Sequence, residues 1–149
     1  MSWKVSIKMD PSLVAVRRAA HVFKAAIGDF GTHELRQELE LAFVEACTNS
    51  AVHGPKGRGK PEILATITID PAELEIVIQD GGKPFDPFQK ERQLDLDDVG
   101  SLPCGGFGLS LIRRICDTVE YHHNEQGNLL RLRKSLSSSC DTSLALGRH

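Results

Sequence analysis

The sequence predicts an α+β domain, a two-layer α/β sandwich in which about three helices cover one face of a mostly antiparallel mixed sheet. Alternating apolar residues indicate short strands in five segments, and apolar residues at helical spacing indicate helices in three others. The order along the chain is β-α-α-β-β-loop-α-β-β. Neighbouring strands joined by short turns are typical of an antiparallel sheet that packs its helices on one side.

The first third of the chain holds one strand and two helices. Residues 3–9 alternate apolar and polar side chains, the pattern of a half-buried strand. Asp10 and Pro11 predict a helix start, and the apolar side of that helix is formed by Leu13, Val14, Val16, Ala20, Phe23 and Ile27. Thr32 is placed to cap a second helix, which we expect to end near His53. Its predicted buried stripe is Leu35, Leu39, Ala42, Phe43 and Ala46.

The remaining elements are four strands, a long loop and a third helix. Segments 62–69 and 74–80 alternate on either side of an Asp-Pro turn and predict a hairpin. Residues 80–104 lack periodicity, and a loop of this length in a compact domain is usually functional. A glycine cluster then opens the third helix, and segments 118–123 and 128–136 predict the last two strands.

Composition limits the classes of function. The net charge of −2 provides no basic surface for direct nucleic-acid binding. No apolar run reaches about 18 residues, and the N-terminal segment lacks the apolar centre of a signal peptide, so we expect a cytoplasmic protein without a membrane span. Residues 137–149 are rich in serine, and we expect a disordered tail there. The spacing of the cysteines suggests reduced thiols, at Cys47, Cys104, Cys116 and Cys140.

The second helix carries three polar residues on one face. Glu45, Asn49 and His53 are four residues apart, and a helix has about 3.6 residues per turn, so they share one side. A carboxylate and an amide on a helix that is otherwise suited to burial need partners. The amide oxygen of Asn49 suits Mg²⁺, and Glu45 is placed to accept a proton near such an ion. A solvated helix face explains each residue equally well when it is taken alone.

Two glycine-containing motifs accompany that helix. Gly105, Gly106 and Gly108 lead into a helix, where backbone N–H groups and the helix dipole favour an anion. Asp80 ends a predicted strand, where its carboxylate suits the exocyclic amine of adenine, and Gly82 would let a ring lie against the backbone. Each motif alone also fits an ordinary tight turn.

The three motifs together, in this order, resemble those of the Bergerat-fold ATPases, and most closely those of the bacterial anti-sigma-factor serine/threonine kinases. Residues 45–53 resemble the N box of that family, and residues 80–86 resemble its Asp-x-Gly-x-Pro-Phe-Asp motif. Residues 105–112, followed by 117–121, resemble its Gly-Gly-x-Gly motif and the next strand. The resemblance implies a histidine-kinase-like ATPase domain over residues 1–136.

The resemblance also implies roles for individual residues. Asp80 and Gly82 would bind adenine, and Asn49 would hold Mg²⁺ against the phosphates of ATP. Glu45 would be the general base that takes the proton of a serine hydroxyl. Residues 86–104 would form a lid, and the phosphates would be held by Gly105, Gly106, Gly108 and Leu109. In one departure from the family, Gly127-Asn128-Leu129 stands where a threonine often supports adenine.

The implied function is phosphorylation of an anti-sigma-factor antagonist protein by a homodimeric kinase that also binds a sigma factor. One alternative is an ATP-gated partner-binding regulator with little catalysis. Another is a fragment of a histidine kinase, which we do not expect because the sequence shows no upstream dimerisation helix with a phospho-accepting histidine.

Overall fold

The computed structural model describes residues 1–53, 62–84 and 108–136. These residues form five strands and three helices. In chain order they are β1 (Trp3–Met9), α1 (Leu13–Ile27), α2 (His33–His53), β2 (Ile63–Ile69), β3 (Glu73–Asp80), α3 (Gly108–Ile115), β4 (Thr118–Asn124) and β5 (Gly127–Ser135). The predicted glycine-rich turn at 54–61, the predicted lid and the predicted tail at 137–149 lie outside the described residues.

The five strands form one sheet in the order β1-β2-β3-β5-β4. Every pairing between the described strands is antiparallel. Helix α1 contacts β1 and β2, α2 contacts β2 and β3, and α3 contacts β4. Helix α2 lies between the other two helices and contacts both. The predicted α+β class, with three helices on one face of the sheet, is confirmed.

The core lies between the helices and the sheet. Strand residues alternate between the two faces, and one set is almost fully buried against the helices. That set includes Ile63, Ile67, Leu74, Ile76, Ile78 and Leu132. Phe23 of α1 and Phe43 of α2 stack with ring centroids 4.5 Å apart, which joins the two helices inside this core. The predicted buried stripe of α2 is confirmed from Leu39 to Ala46, while Leu35 is half-buried.

Two predictions about α1 are wrong. The helix is capped by Ser12, whose Oγ accepts a hydrogen bond from the Ala15 backbone N–H at 3.1 Å, and Asp10 precedes the cap. Leu13 and Val14, which we placed on the apolar side of the helix, are 59% and 62% exposed. Both residues lie in the first turn of α1, and the first buried residue of the helix is Val16. The apolar pattern in the sequence therefore begins one turn before the helix reaches the core.

The opposite face of the sheet carries charged side chains. Arg133 Nε donates a hydrogen bond of 2.8 Å to Glu75 Oε2. Arg131 lies between Glu75 and Glu120, with a nitrogen 3.8 Å from an oxygen of each. These partly exposed pairs suit a solvated face and contribute little to stability. No helix within the described ranges is long and apolar enough to cross a membrane.

Candidate functional site

Asp80 ends β3 on the face of the sheet that the helices cover. It follows the buried Ile76 and Ile78 at two-residue spacing and pairs with the buried Ile63 of β2. Asp80 is 8% exposed, an unusual degree of burial for a carboxylate that forms no salt bridge with the described residues. A charge in this position needs hydrogen-bond donors around it.

Two protein N–H groups supply those donors, and both reach the same oxygen. Asp80 Oδ1 accepts hydrogen bonds of 2.9 Å from the Gly82 backbone N–H and from Asn128 Nδ2. Oδ2 makes no hydrogen bond with any residue of the described ranges. The second oxygen is therefore the part of the carboxylate that remains able to accept a hydrogen bond from a ligand.

Asn128 is the residue that sequence reasoning missed. It lies on β5 directly opposite Asp80, is 8% exposed, and also donates from Nδ2 to the Lys83 carbonyl at 2.8 Å. Tyr121 donates its hydroxyl hydrogen to Asn128 Oδ1, and His123 Nδ1 lies 3.1 Å from the same oxygen. The register of β3 against β5 identifies Asn128 as a site residue, because in that register Asn128 lies opposite Asp80.

Gly127 allows this close approach of β5 to β3. Its φ is 122°, a conformation that side chains with a Cβ rarely adopt. A Cβ at this position would lie 2.0 Å from the Asp80 carbonyl oxygen and 2.7 Å from the Gly81 Cα. Only glycine therefore fits at the start of β5 beside the end of β3.

The polar face of α2 is built differently. Glu45 and Asn49 are half-buried and lie one turn apart, about 6 Å along the helix axis. Neither side chain makes a hydrogen bond with another residue in the parts of the chain that the structure describes. His53 is the last residue of α2, and its side chain lies outside the described part.

The third motif is partly described. Gly108 is the first residue of α3, and Leu109 is 5% exposed in its first turn. Gly105 and Gly106 lie outside the described residues. Because α2 contacts both β3 and α3, the elements that carry the three motifs are neighbours in the fold. The structure joins Asp80 to Gly82 directly, whereas Glu45 and Asn49 share the adjoining helix.

The described residues hold no cluster of three His, Cys, Asp or Glu side chains that would bind a metal by itself. The amide oxygen of Asn49 alone fits an ion that takes its other ligands from phosphate oxygens and water. That ligand set is the usual one for Mg²⁺, which keeps several waters and uses few protein groups.

A cavity of about 420 Å³ lies at the same end of the sheet as Asp80. It reaches Asp80 and Asn128 at the sheet end, and it is also lined by the strand residues Lys8, Leu64, Gln79 and Leu129. These four alternate with the helix-facing positions and so belong to the open face. The cavity therefore extends over the face opposite to the Asp80 carboxylate, and we do not assign the nucleotide to it.

Comparison with known proteins identifies the family. The histidine kinase-like ATPase domain family matches residues 9–134. The chain belongs to this family. The match covers all three motifs, including those parts that lie outside the described residues. The histidine kinase-like ATPase domain therefore accounts for the fold and for the order of the motifs.

Individual relatives within the family are also similar. The serine-protein kinase RsbW of Listeria monocytogenes serovar 1/2a is 33% identical over 98 residues, 63% of this chain and 62% of that protein. The matched part thus spans less than two thirds of that relative. The anti-sigma F factor of Bacillus cereus is 26% identical over 135 residues, 90% of each chain. The mycobacterial sensor histidine kinase MprB aligns over 88% of this chain and 97% of its own, with 17% identity and a TM-score of 0.47.

Proposed function

We propose that the protein is an ATP-dependent serine/threonine protein kinase that phosphorylates an anti-sigma-factor antagonist and acts as an anti-sigma factor. The observation that carries this proposal is the combination of Glu45 and Asn49 on α2 with a buried carboxylate at the end of β3. Membership of the histidine kinase-like ATPase family and similarity to a serine-protein kinase and an anti-sigma F factor support it.

The nucleotide base would be recognised by Asp80. Its Oδ1 is taken up by protein donors, so Oδ2 would accept the hydrogen bond of the adenine 6-amino group. Gly82 is buried beside the carboxylate and has no side chain to keep a planar ring away. Gly105, Gly106, Gly108 and Leu109 would hold the phosphates through the N-terminal end of α3.

The oxygen chemistry of α2 suits a magnesium-dependent transfer. Mg²⁺, when bound, would neutralise phosphate charge, and Asn49 would contribute an amide oxygen to it. Glu45 would accept the proton of the incoming serine hydroxyl, so that the oxygen attacks the γ-phosphorus while ADP leaves. Its half-buried position keeps it reachable by a protein substrate.

The same proposal extends to partners. A kinase of this kind would bind a sigma factor and release it when the antagonist is available, which makes the protein a regulator of transcription. It would act as a homodimer in the cytoplasm, with the ATPase domain over residues 1–136.

Phosphate transfer to a protein tests the proposal. The protein would be incubated with Mg²⁺, labelled ATP and the antagonist protein encoded beside its gene. We expect labelled phosphoserine on the antagonist with the wild type and almost none with Glu45→Ala. No transfer by the wild type, or equal transfer by both proteins, would contradict the kinase proposal. ATP binding and partner capture without transfer would instead support a non-catalytic regulator.

A further inference from the structure

We propose that Asn128 is a positioning residue that holds the Asp80 carboxylate in the orientation that selects adenine. The inference rests on the proposed nucleotide function of Asp80 and assigns Asn128 a role that the family's usual threonine does not predict. Within the described residues, the Asn128 side chain contacts Asp80, the Lys83 carbonyl, and the β4 residues Tyr121 and His123.

The partners of Asn128 determine which way its amide points. The Lys83 carbonyl can only accept a hydrogen bond, and so can an ionised Asp80, so the amide NH₂ must face these two groups. The amide oxygen then faces the Tyr121 hydroxyl and His123 Nδ1. Because that oxygen cannot donate, the His123 tautomer that completes the network carries its proton on Nδ1.

These contacts use the whole hydrogen-bonding capacity of the amide. An asparagine side chain has two donor hydrogens and two acceptor lone pairs, and four groups from the described part of the chain surround this one. Little capacity remains for a direct bond to a nucleotide, so Asn128 acts through Asp80. A fully satisfied buried network of this kind fixes the orientation of its members.

The fixed orientation has a consequence for specificity. Asn128 Nδ2 and the Gly82 N–H together hold Oδ1, which leaves Oδ2 as the acceptor presented to the base. An acceptor favours a base with an amine at position 6 and disfavours a carbonyl there, because two acceptors face each other without a proton. Without Asn128, the Gly82 N–H is the one donor among the described residues that still holds the carboxylate, which is then free to rotate away.

The test measures base discrimination. Calorimetry would give Kd values for ATP and for the purine nucleoside triphosphate that lacks the 6-amino group. We expect the wild type to favour ATP by about tenfold or more, the effect of a hydrogen bond to a charged group. We expect Asn128→Leu to reduce this ratio to less than about threefold, because the acceptor is no longer held in place. Asn128→Thr, which keeps a hydroxyl donor, should recover part of the ratio.

The matched control is Asn124→Leu, the same substitution in the same hairpin. Asn124 Oδ1 accepts from the Gln126 N–H within the β4–β5 turn and makes no hydrogen bond to Asp80. We expect this variant to keep the wild-type ratio even if it lowers the melting temperature. A purely structural role for Asn128 would weaken both nucleotides equally and leave the ratio unchanged.

If Asn128→Leu fails to fold, Tyr121→Phe keeps the proposal testable, because it removes only the hydroxyl that orients Asn128. We expect its ratio to fall by about twofold or more, as for loss of one neutral hydrogen bond. A wild-type ratio in every folded variant overturns the inference. No nucleotide binding by the wild type overturns both this inference and the proposed function. Reduced discrimination in Asn128→Leu or Tyr121→Phe, together with no phosphotransfer by the wild type, supports the inference and contradicts the kinase proposal.

Discussion

Two regions carry the polar groups of the candidate site, and they are built in opposite ways. At the end of β3, Asp80 is buried and one of its oxygens is bonded by Gly82 and Asn128. On α2, Glu45 and Asn49 are half-buried and make no side-chain hydrogen bonds within the described ranges. The first region is organised by the protein itself, and the second is open to partners that arrive with the substrate.

The difference matches two kinds of chemistry. Recognition of a base requires a fixed acceptor, because selectivity comes from hydrogen bonds that only one geometry allows. Groups that serve a hydrated ion and a moving proton are better left in contact with water until the substrate binds, since burying them without partners is costly. We therefore expect substitutions at Asp80 to change affinity and substitutions at Glu45 to change rate.

The largest effect is expected for Glu45→Gln. This change keeps the size of the side chain and removes the base, so phosphotransfer should fall by about 10²–10⁴-fold while ATP affinity stays the same. Single-turnover transfer and calorimetry would measure the two quantities. Glu38→Gln, on an exposed position of α2, is the matched control and should transfer phosphate normally. An equal loss of rate in both variants would remove Glu45 from the reaction.

Asp80→Asn should have the next largest effect, and on affinity. Loss of a charge-assisted hydrogen bond costs about 1.5–3 kcal/mol, so ATP should bind more than about tenfold more weakly. Asp29→Asn changes an exposed residue after α1 in the same way and should bind as the wild type does. Unchanged calorimetric binding by Asp80→Asn would show that Asp80 does not contact the nucleotide.

Asn49→Ala tests the proposed metal ligand independently of Glu45, the proposed general base. In the wild type we expect chelation of Mg²⁺ to weaken ATP binding, and in the variant we expect most of this dependence to disappear. The gain in ATP affinity that Mg²⁺ gives the wild type, and that the variant should lose, is expected to be about tenfold, as is typical when a group that supports a bound metal is removed. Titrations with Mg²⁺ and with a chelator would measure it, with Asn124→Ala as the control. A wild-type magnesium dependence in Asn49→Ala would contradict the assignment.

The smallest effect concerns the buried side of the same helix. Cys47 lies between Glu45 and Asn49 in sequence but is fully buried, and this burial raises the pKa of its thiol from 9.0 to about 12. The folded protein thus favours the neutral thiol. Its contribution to the free energy of unfolding should be constant below pH 9.0 and decline as the pH rises toward 12.

Thiol alkylation followed by mass spectrometry tests that prediction. Native Cys47 should react far more slowly than the same cysteine in urea, because both exposure and thiolate are lacking. Cys116, whose thiol pKa is raised to about 11 mainly by burial, should behave in the same way. Rapid alkylation of native Cys47 would mean that this side of α2 opens readily to solvent. It would contradict the distinction between a buried Cys47 side and a solvent-accessible Glu45 and Asn49 side of the helix.

Much of this architecture follows from local pattern. β1 was predictable because its side chains alternate over seven residues, and α2 because its apolar positions recur at helical spacing. The Thr32 cap was also predictable, and its Oγ1 accepts from the Leu35 N–H at 3.1 Å. These features depend on residues that lie within a few positions of each other.

The features that the sequence did not reveal depend on distant residues. The exposure of Leu13 and Val14 depends on where the core ends, which periodicity alone does not indicate. The bond from Asn128 to Asp80 joins residues 48 positions apart, and only the β3–β5 register brings them together. Gly127 is needed for the same reason, since its missing side chain lets the two strands meet.

The most direct test of the two-region account is a crystal structure of the protein with ADP and Mg²⁺. We predict the adenine amino group within hydrogen-bond distance of Asp80 Oδ2, with Asn128 and Gly82 still bonded to Oδ1. We predict Mg²⁺ at the amide oxygen of Asn49, with Glu45 nearby and not a ligand. A nucleotide bound in the open-face cavity beside Lys8 and Gln79, or an adenine away from Asp80, would contradict the account.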